Sequence, residues 1–224
     1  MEYGIFLSSE ETGPKDLVLH GQLAEEAGFR EVWVSDHFHP WSDEQGHSPF
    51  VWSVLAGLAA TTSLTMTTGV TCPIIRIHPA IVAHAAATTA VLADGRFRLG
   101  VGSGENLNEH VLGDKWPEAS VRQEMLEEAV EVMRLLWEGG AQSHRGRHYT
   151  VENARLYDLP DEPVPVYVSG FGPQSAELAG RIGDGFATTK PDEEAGITHL
   201  FIQQVGPDQQ GFLDFWRKEL EPRL

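Results

Sequence analysis

The feature that most constrains this chain is the order of its patterns: short β-rich runs alternate with segments whose apolar residues recur at helical spacing, the mark of parallel βαβ units. "YGIFLS" reads as a strand and "DLVLHGQLAEEAGF" as the helix after it, with Gly28 as a stop signal. "EVWVSDH" is a second strand, "PFVWSVLAGLAATTS" a buried helix, "LTMTTGVTC" a third strand, "PAIVAHAAATTAVLAD" an Ala-rich helix and "RFRLGVGSG" a fourth strand. "SVRQEMLEEAVEVMRLLWEGG" is a long amphipathic helix whose Met125, Leu126, Ala129, Val130, Met133, Leu136 and Trp137 form a core stripe. "HRGRHYTVENARLYDLP" predicts a small antiparallel hairpin. "VPVYVSGFG" is the fifth main strand, "PQSAELAGRI" a helix, "DGFATTK" the sixth strand and "ITHLFIQQVG" the last. In the closing helix, "QQGFLDFWRKELEPRL", Phe212, Phe215 and Trp216 are expected to pack against the barrel or a subunit partner.

Seven parallel-type strands are one short of a (β/α)8 TIM barrel, whose usual length is about 250 residues. The shortage can be located. Between "FATTK" and "ITHLFIQQ" only "PDEEAG" remains, whereas a crossover between parallel neighbours needs roughly a dozen residues or more. The expectation is an α/β fold, a single barrel domain over 1–224 that lacks a helix-strand-helix section near 191–196.

A formal net charge of −17 argues against a sequence-independent grip on nucleic acid or on an anionic membrane, since both need basic patches. The single cysteine, Cys72, excludes an internal disulfide framework and points to a reducing compartment. No basic stretch followed by an apolar one opens "MEYGIFLSSEETGP", and no apolar run reaches membrane-spanning length, so a cytoplasmic protein is expected.

In barrels the working groups sit at the C-terminal ends of strands. The second strand ends in Asp36-His37, the third in Gly69-Val70-Thr71-Cys72-Pro73 and the fourth in Gly102-Ser103-Gly104-Glu105-Asn106. The fifth ends in Ser169-Gly170-Phe171-Gly172 and the sixth in Thr188-Thr189-Lys190. Asp36, His37 and Glu105 are thus ionisable groups expected on one face among Gly-rich loops. His37 suits a general base or acid, because an imidazole needs little tuning near neutrality, or it anchors its loop by hydrogen bonds. Glu105 is either a carboxyl raised in pKa by partial burial or a plain cap or turn residue. Trp41 is a pocket wall or packed core.

Gly100-x-Gly102-x-Gly104 is not the dinucleotide fingerprint, because its third glycine comes one residue early. "SGFGPQSAELAG" is more suggestive: Pro173 suits the first helical turn, and free backbone donors around Gly170 and Gly172 would form an anion-binding helix N-terminus, or only a tight turn. A metal held by His37 and His39 lacks further ligands at later strand ends, so none is expected. Nucleophile chemistry fares no better. There is no Gly-x-Ser-x-Gly elbow in the required place, and no basic group is expected beside Cys72.

Taken together, "SDHFHPW", "GVTCPIIRIHP", "GRFRLGVGSGENLNEH", "PVYVSGFGPQSAELAGRIGDGFATTKPD" and "QQVGPDQQGFLDFW" resemble the luciferase-like flavin and deazaflavin oxidoreductases. The likeness is greatest to the coenzyme F420-dependent branch related to F420-dependent glucose-6-phosphate dehydrogenase. The resemblance implies a luciferase-like (β/α)8 barrel, a homodimer, with a deazaflavin at the strand C-termini. By that likeness Asp36 contacts the deazaflavin and His37 takes the proton of an alcohol as its hydride passes to the ring. Trp41 walls the substrate side, Glu105 is the acid partner near the ring, and Asn108 binds cofactor from the same loop. Gly69 and Val70 match a strained non-proline cis peptide that backs the ring. Ser169, Gly170, Phe171 and Gly172 match the turn that receives the cofactor phosphate.

Lys190 matches the first of the cations that hold substrate phosphate in the sugar-phosphate dehydrogenase, while the section supplying the others is the one this chain lacks. The substrate is then a small molecule that need not be a sugar phosphate: another alcohol, or an unsaturated compound reduced by the reduced cofactor. Two rivals stand beside this expectation: an FMN-dependent monooxygenase of the same superfamily, and a catalytically inactive cofactor-binding homologue. His39 has no chemical role in any of them and is expected to support its loop.

Overall fold

The β-branched and aromatic runs form strands and the helical patterns form helices, in the order read from the sequence. The computed structural model describes residues 1–189 and 196–224. These fall into two compact units, Met1–Gly69 with Asp192–Leu224, and Val70–Pro191. Lys190 and most of the section expected to be missing near 191–196 lie outside the described residues.

The first unit contains strands β1 (Glu2–Leu7), β2 (Glu31–Val34) and β3 (Thr65–Thr68) and helices α1 (Pro14–Glu26) and α2 (Val51–Thr61). β1 pairs in parallel with β2, with Ile5 opposite Val32, and β2 with β3, with Val34 opposite Thr68. Val32, Trp33 and Val34 are all buried, as expected of a parallel strand covered on both faces. Leu17 and Ala24 of α1 and Leu55 and Leu58 of α2 complete this core. Gly21 lets α1 approach α2 closely, since a Cβ there would meet the Leu58 side chain.

β9 (His199–Gln203) closes onto the other edge of β1 in parallel, Glu2 opposite His199 and Ile5 opposite Ile202. That is the place a last barrel strand takes. α7 (Gln209–Phe215) follows and widens into a π-helical turn at Trp216–Leu220. Trp216 stacks on Phe29 with centroids 4.5 Å apart and lies against Tyr3 at 5.8 Å. Of the three aromatics expected to pack from this helix, Trp216 is buried and Phe215 is exposed. Trp216 is the one that faces Phe29 and Tyr3, while Phe215, one position earlier, points away from them to solvent.

In the second unit, β4 (Phe97–Val101), β7 (Val166–Ser169) and β8 (Gly185–Ala187) pair in parallel, Leu99 opposite Val166 and Val168 opposite Phe186. α3 (Pro79–Leu92), α5 (Ala119–Trp137) and α6 (Pro173–Ile182) accompany them. The stripe on α5 is core as read: Leu126, Ala129, Val130, Met133 and Leu136 are buried, and half-buried Trp137 donates from Nε1 to the Ala83 carbonyl at 3.0 Å. The hairpin forms from β5 (Gln142–Arg145) and β6 (Thr150–Ala154). Its turn is held by Glu128 of α5, whose carboxylate accepts from the amides of Arg147, His148 and Tyr149. Among the described residues no helix is long and apolar enough to cross a membrane.

Candidate functional site

The C-terminal ends of β1 and β2 lie side by side because the two strands are parallel neighbours in register. This brings Ser8-Ser9-Glu10 against Ser35-Asp36-His37. The Glu10 carboxylate, almost fully buried, accepts from Ser8 Oγ at 2.6 Å and from Ser35 Oγ at 2.8 Å. The Ser9 amide donates to Ser35 Oγ at 2.8 Å, which joins the two ends. His37 Nδ1 lies 2.6 Å from Glu10 Oε1. The approach lies off the ring N–H direction, so among the described residues Nδ1 has no aligned hydrogen-bond partner. Burial by itself would raise the Glu10 carboxyl, but His37 and the Ser8 hydroxyl outweigh it and hold the group down at about 2.

Glu10 is a candidate site residue that the sequence reading did not name. The strand-end survey began at the second strand; the same rule applied to "YGIFLSSE" would have found it.

Asp36 is buried at the end of β2. Trp41 is 59% exposed and meets the His37 ring edge-on, centroids 5.2 Å apart at 89°. The loop between them is fixed by its own polar groups: Ser48 Oγ donates to the His37 carbonyl, the His47 amide to the Glu10 carbonyl, and the Trp41 amide to Gln45 Oε1. His39 meets the ring of its neighbour Phe38 edge-on, with centroids 5.0 Å apart. Among the described residues no group of three or more His, Cys, Asp or Glu side chains could hold a metal ion. Gly69 follows β3, its amide donating to Val34 O at 2.7 Å, and a Cβ there would come within 2.8 Å of Phe6.

The second unit gathers the glycine-rich ends. Val70, Gly102 and Ser169 come together: a Cβ on Gly102 would lie 2.9 Å from Val70 Cγ2 and 3.9 Å from Ser169 Cβ. After Gly104, at φ +71°, the chain enters the short helix α4 (Asn106–Glu109). Glu105 precedes that helix with an exposed side chain that makes no cap, so the partial burial expected for it is not found. Its carbonyl, not its carboxylate, takes the amides of Asn108 and Glu109. Asn108 and Glu109 are the buried members of the turn.

Glu109 accepts from the Arg76 amide at 2.9 Å and from Arg76 Nε at 3.3 Å. Burial pushes its carboxyl up, against these contacts. Cys72 has a cation near it after all, in Arg76. Burial and the Glu109 carboxylate nevertheless outweigh that cation and push the thiol well above its ordinary value, so it is no nucleophile.

Pro173 opens α6 as expected. The amides of Gly170 and Gly172 are not free donors, however. Gly170 donates to Ala187 O at 3.1 Å in the β7–β8 pairing, and Gly172 donates to Ser175 Oγ at 3.1 Å. The donors left to an anion are those of Gln174 and Ser175, which a first helical turn does not pair internally. An open depression of about 450 Å³ lies there, lined by Gln123, Gly172, Pro173, Gln174 and Ser175. Phe171 is exposed beside it. Lys190 is outside the described residues.

The chain is 47% identical over 190 residues to the F420-dependent hydroxymycolic acid dehydrogenase of Mycobacterium tuberculosis (strain ATCC 25618 / H37Rv), covering 84% of this chain and 53% of that protein. It is 44% identical to the F420-dependent glucose-6-phosphate dehydrogenase of Beutenbergia cavernae, covering 84% of this chain and 56% of that one. Its fold is similar to that of an F420-dependent secondary alcohol dehydrogenase solved with an F420–acetone adduct, with a TM-score of 0.80, 43% identity and coverage of 84% and 57%. The chain therefore has a luciferase-like TIM-barrel fold in partial form, and it spans about half the length of the curated relatives it matches. Residues 1–205 match the luciferase-like monooxygenase family, and to that family the chain belongs.

Proposed function

We propose that this protein is an F420-dependent oxidoreductase that moves a hydride between a small alcohol or its carbonyl form and the deazaflavin, and that it works as a homodimer. The observation that carries the proposal is the Glu10–His37 contact at 2.6 Å beside Trp41. Nδ1 faces the carboxylate, so Nε2 is the nitrogen left for substrate. In alcohol oxidation Nε2 accepts the hydroxyl proton, and buried Glu10 fixes the ring and stabilises the imidazolium that results. Trp41 presents an exposed indole at the edge of that ring, suited to wall a small substrate.

Two features fit a flat cofactor with a phosphate tail. Gly102 lies where a side chain would collide with Val70, which keeps that strand end bare for close approach. At the start of α6 the depression beside Gly172 and Ser175 presents helix N-terminal amides, which suit a phosphate. Bound deazaflavin would supply the hydride acceptor; placement and the proton route belong to the protein. Asp36, Gly69, Val70, Asn108, Ser169, Gly170, Phe171 and Gly172 are its proposed contacts, Glu105 the proposed acid and Lys190 a proposed substrate contact.

The second reading is a cofactor-binding homologue without turnover. Fluorescence titration with F420 and with FMN, followed by turnover of secondary alcohols, separates the cases. The proposal expects F420 binding and alcohol-dependent F420 reduction that His37→Ala lowers by about 10²–10⁴-fold. FMN binding with no F420 binding overturns it, and F420 binding without any turnover favours the second reading.

A further inference from the structure

Glu109 is a buried carboxylate that the proposed proton route does not use. It is 1% exposed, and its side chain contacts Arg76 and Cys72 in the segment after β3. Its Oε2 accepts from the Arg76 amide at 2.9 Å, its Oε1 faces Arg76 Nε at 3.3 Å, and the Cys72 thiol donates to it. The same segment is pinned at its start, where Thr71 bridges Val101: the Thr71 amide donates to Gly100 O and the Gly102 amide to Thr71 O. Tyr149 Oη holds its middle by donating to Ile74 O at 2.9 Å. At its far end His78 caps α3, its Nδ1 accepting from the Ala80 amide. Glu109 is thus a tie between residues 72 to 76 and the loop after β4, in addition to the one at Thr71.

Glu109 sits one position after Asn108, and Cys72 two positions after Val70. We infer that Glu109, with Arg76, is a positioning residue that locks the loop carrying Val70 to the loop carrying Asn108, so that both are held in one arrangement before cofactor arrives. This rests on the F420 reading only for what Val70 and Asn108 would touch. The lock itself is a property of the free chain. One carboxylate gathers an amide, a guanidinium and a thiol from one five-residue stretch, and in a site of low dielectric such charge-assisted bonds are strong. Gly104 belongs to the same device, because at φ +71° a Cβ would collide with the Cys72 sulfur and with Glu109 Cγ.

The test is amide hydrogen exchange on the cofactor-free protein, with F420 titration in parallel. In Glu109→Ala, exchange in 70–78 and 102–108 should rise at least about tenfold while α1 is unchanged, because the Arg76 amide and guanidinium and the Cys72 thiol lose the acceptor that gathers them and the segments open locally. Glu109→Gln keeps an acceptor for the Arg76 amide and should fall between Glu109→Ala and the native protein. The affinity for F420 should weaken about tenfold in Glu109→Ala if the competent arrangement falls to about a tenth of the population. Should Glu109→Ala lack native far-ultraviolet circular dichroism, Arg76→Met carries the test with the same expected local rise.

Unchanged exchange in both loops overturns the lock. Raised exchange with unaltered F420 affinity overturns the positioning role. A native protein that binds no F420 sinks the F420 reading, and exchange alone then decides the lock.

Discussion

Replacing Glu10 by Gln removes the charge that faces His37 while keeping the size and most of the hydrogen-bonding capacity of the side chain. The carboxyl is carried from its ordinary 4.5 to about 2, which at about 1.4 kcal/mol per pH unit corresponds to about 3 kcal/mol of stability. Little of this is lost to solvent screening, since the Glu10 and His37 side chains are 4% and 18% exposed. The sign follows from the direction. A depressed folded-state pKa gives stability that is fully present above about pH 4.5 and drains away as pH falls through about 2.

Urea unfolding of native protein and Glu10→Gln at half-unit steps from pH 6 to 2.5 should therefore give a difference in unfolding free energy that shrinks by about 2–3 kcal/mol over that range. Taking the difference cancels every carboxylate common to both proteins. The Ser8 and Ser35 hydroxyls can reorient toward the new amide, which leaves the charge as the main change. A difference that stays constant with pH would refute the ion pair as the source of the Glu10 shift. So would a variant as stable as the native protein at pH 6.

Trp41→Ala should leave stability within about 0.5 kcal/mol, because the indole is mostly solvent-exposed, while raising KM for any alcohol turned over; a thermal melt and substrate titration check both. Cys72 should resist a thiol reagent at pH 8 in the folded protein, since burial and Glu109 hold it as the thiol, and label at the rate of unfolding once urea is added. Stoichiometric labelling within minutes in buffer would contradict that burial.

The order of elements was legible because each reports on its own few residues. Val32-Trp33-Val34 is a continuous apolar run and so a doubly covered strand, and the stripe on α5 follows from helical spacing. Pro173 at the start of α6 and β9 as a strand were readable for the same reason: a proline ring or an apolar run restricts the chain wherever it occurs. The strand-end rule also pointed to Asp36 and His37, since the parallel neighbours β1 and β2 deliver their C-terminal ends side by side.

Which of those residues meet was not legible, because proximity is set by packing between distant segments. Glu105 and Glu109 are carboxylates on the same turn, and composition cannot rank them. Burial chose Glu109, because Arg76, 33 positions earlier, supplies an amide and a guanidinium there and leaves Glu105 to solvent. The amides of Gly170 and Gly172 look free in a glycine-rich turn but are taken by Ala187 and Ser175 once β8 pairs and α6 is capped. The Glu10–His37 contact depends on the parallel register that sets Ile5 opposite Val32. Local patterning thus sufficed for the strands, the helices and the bare loop ends. The Glu10–His37 pair, the buried carboxylate and the remaining donors came from long-range packing, since whether a charge is buried and what it faces are properties of segments far apart in the chain.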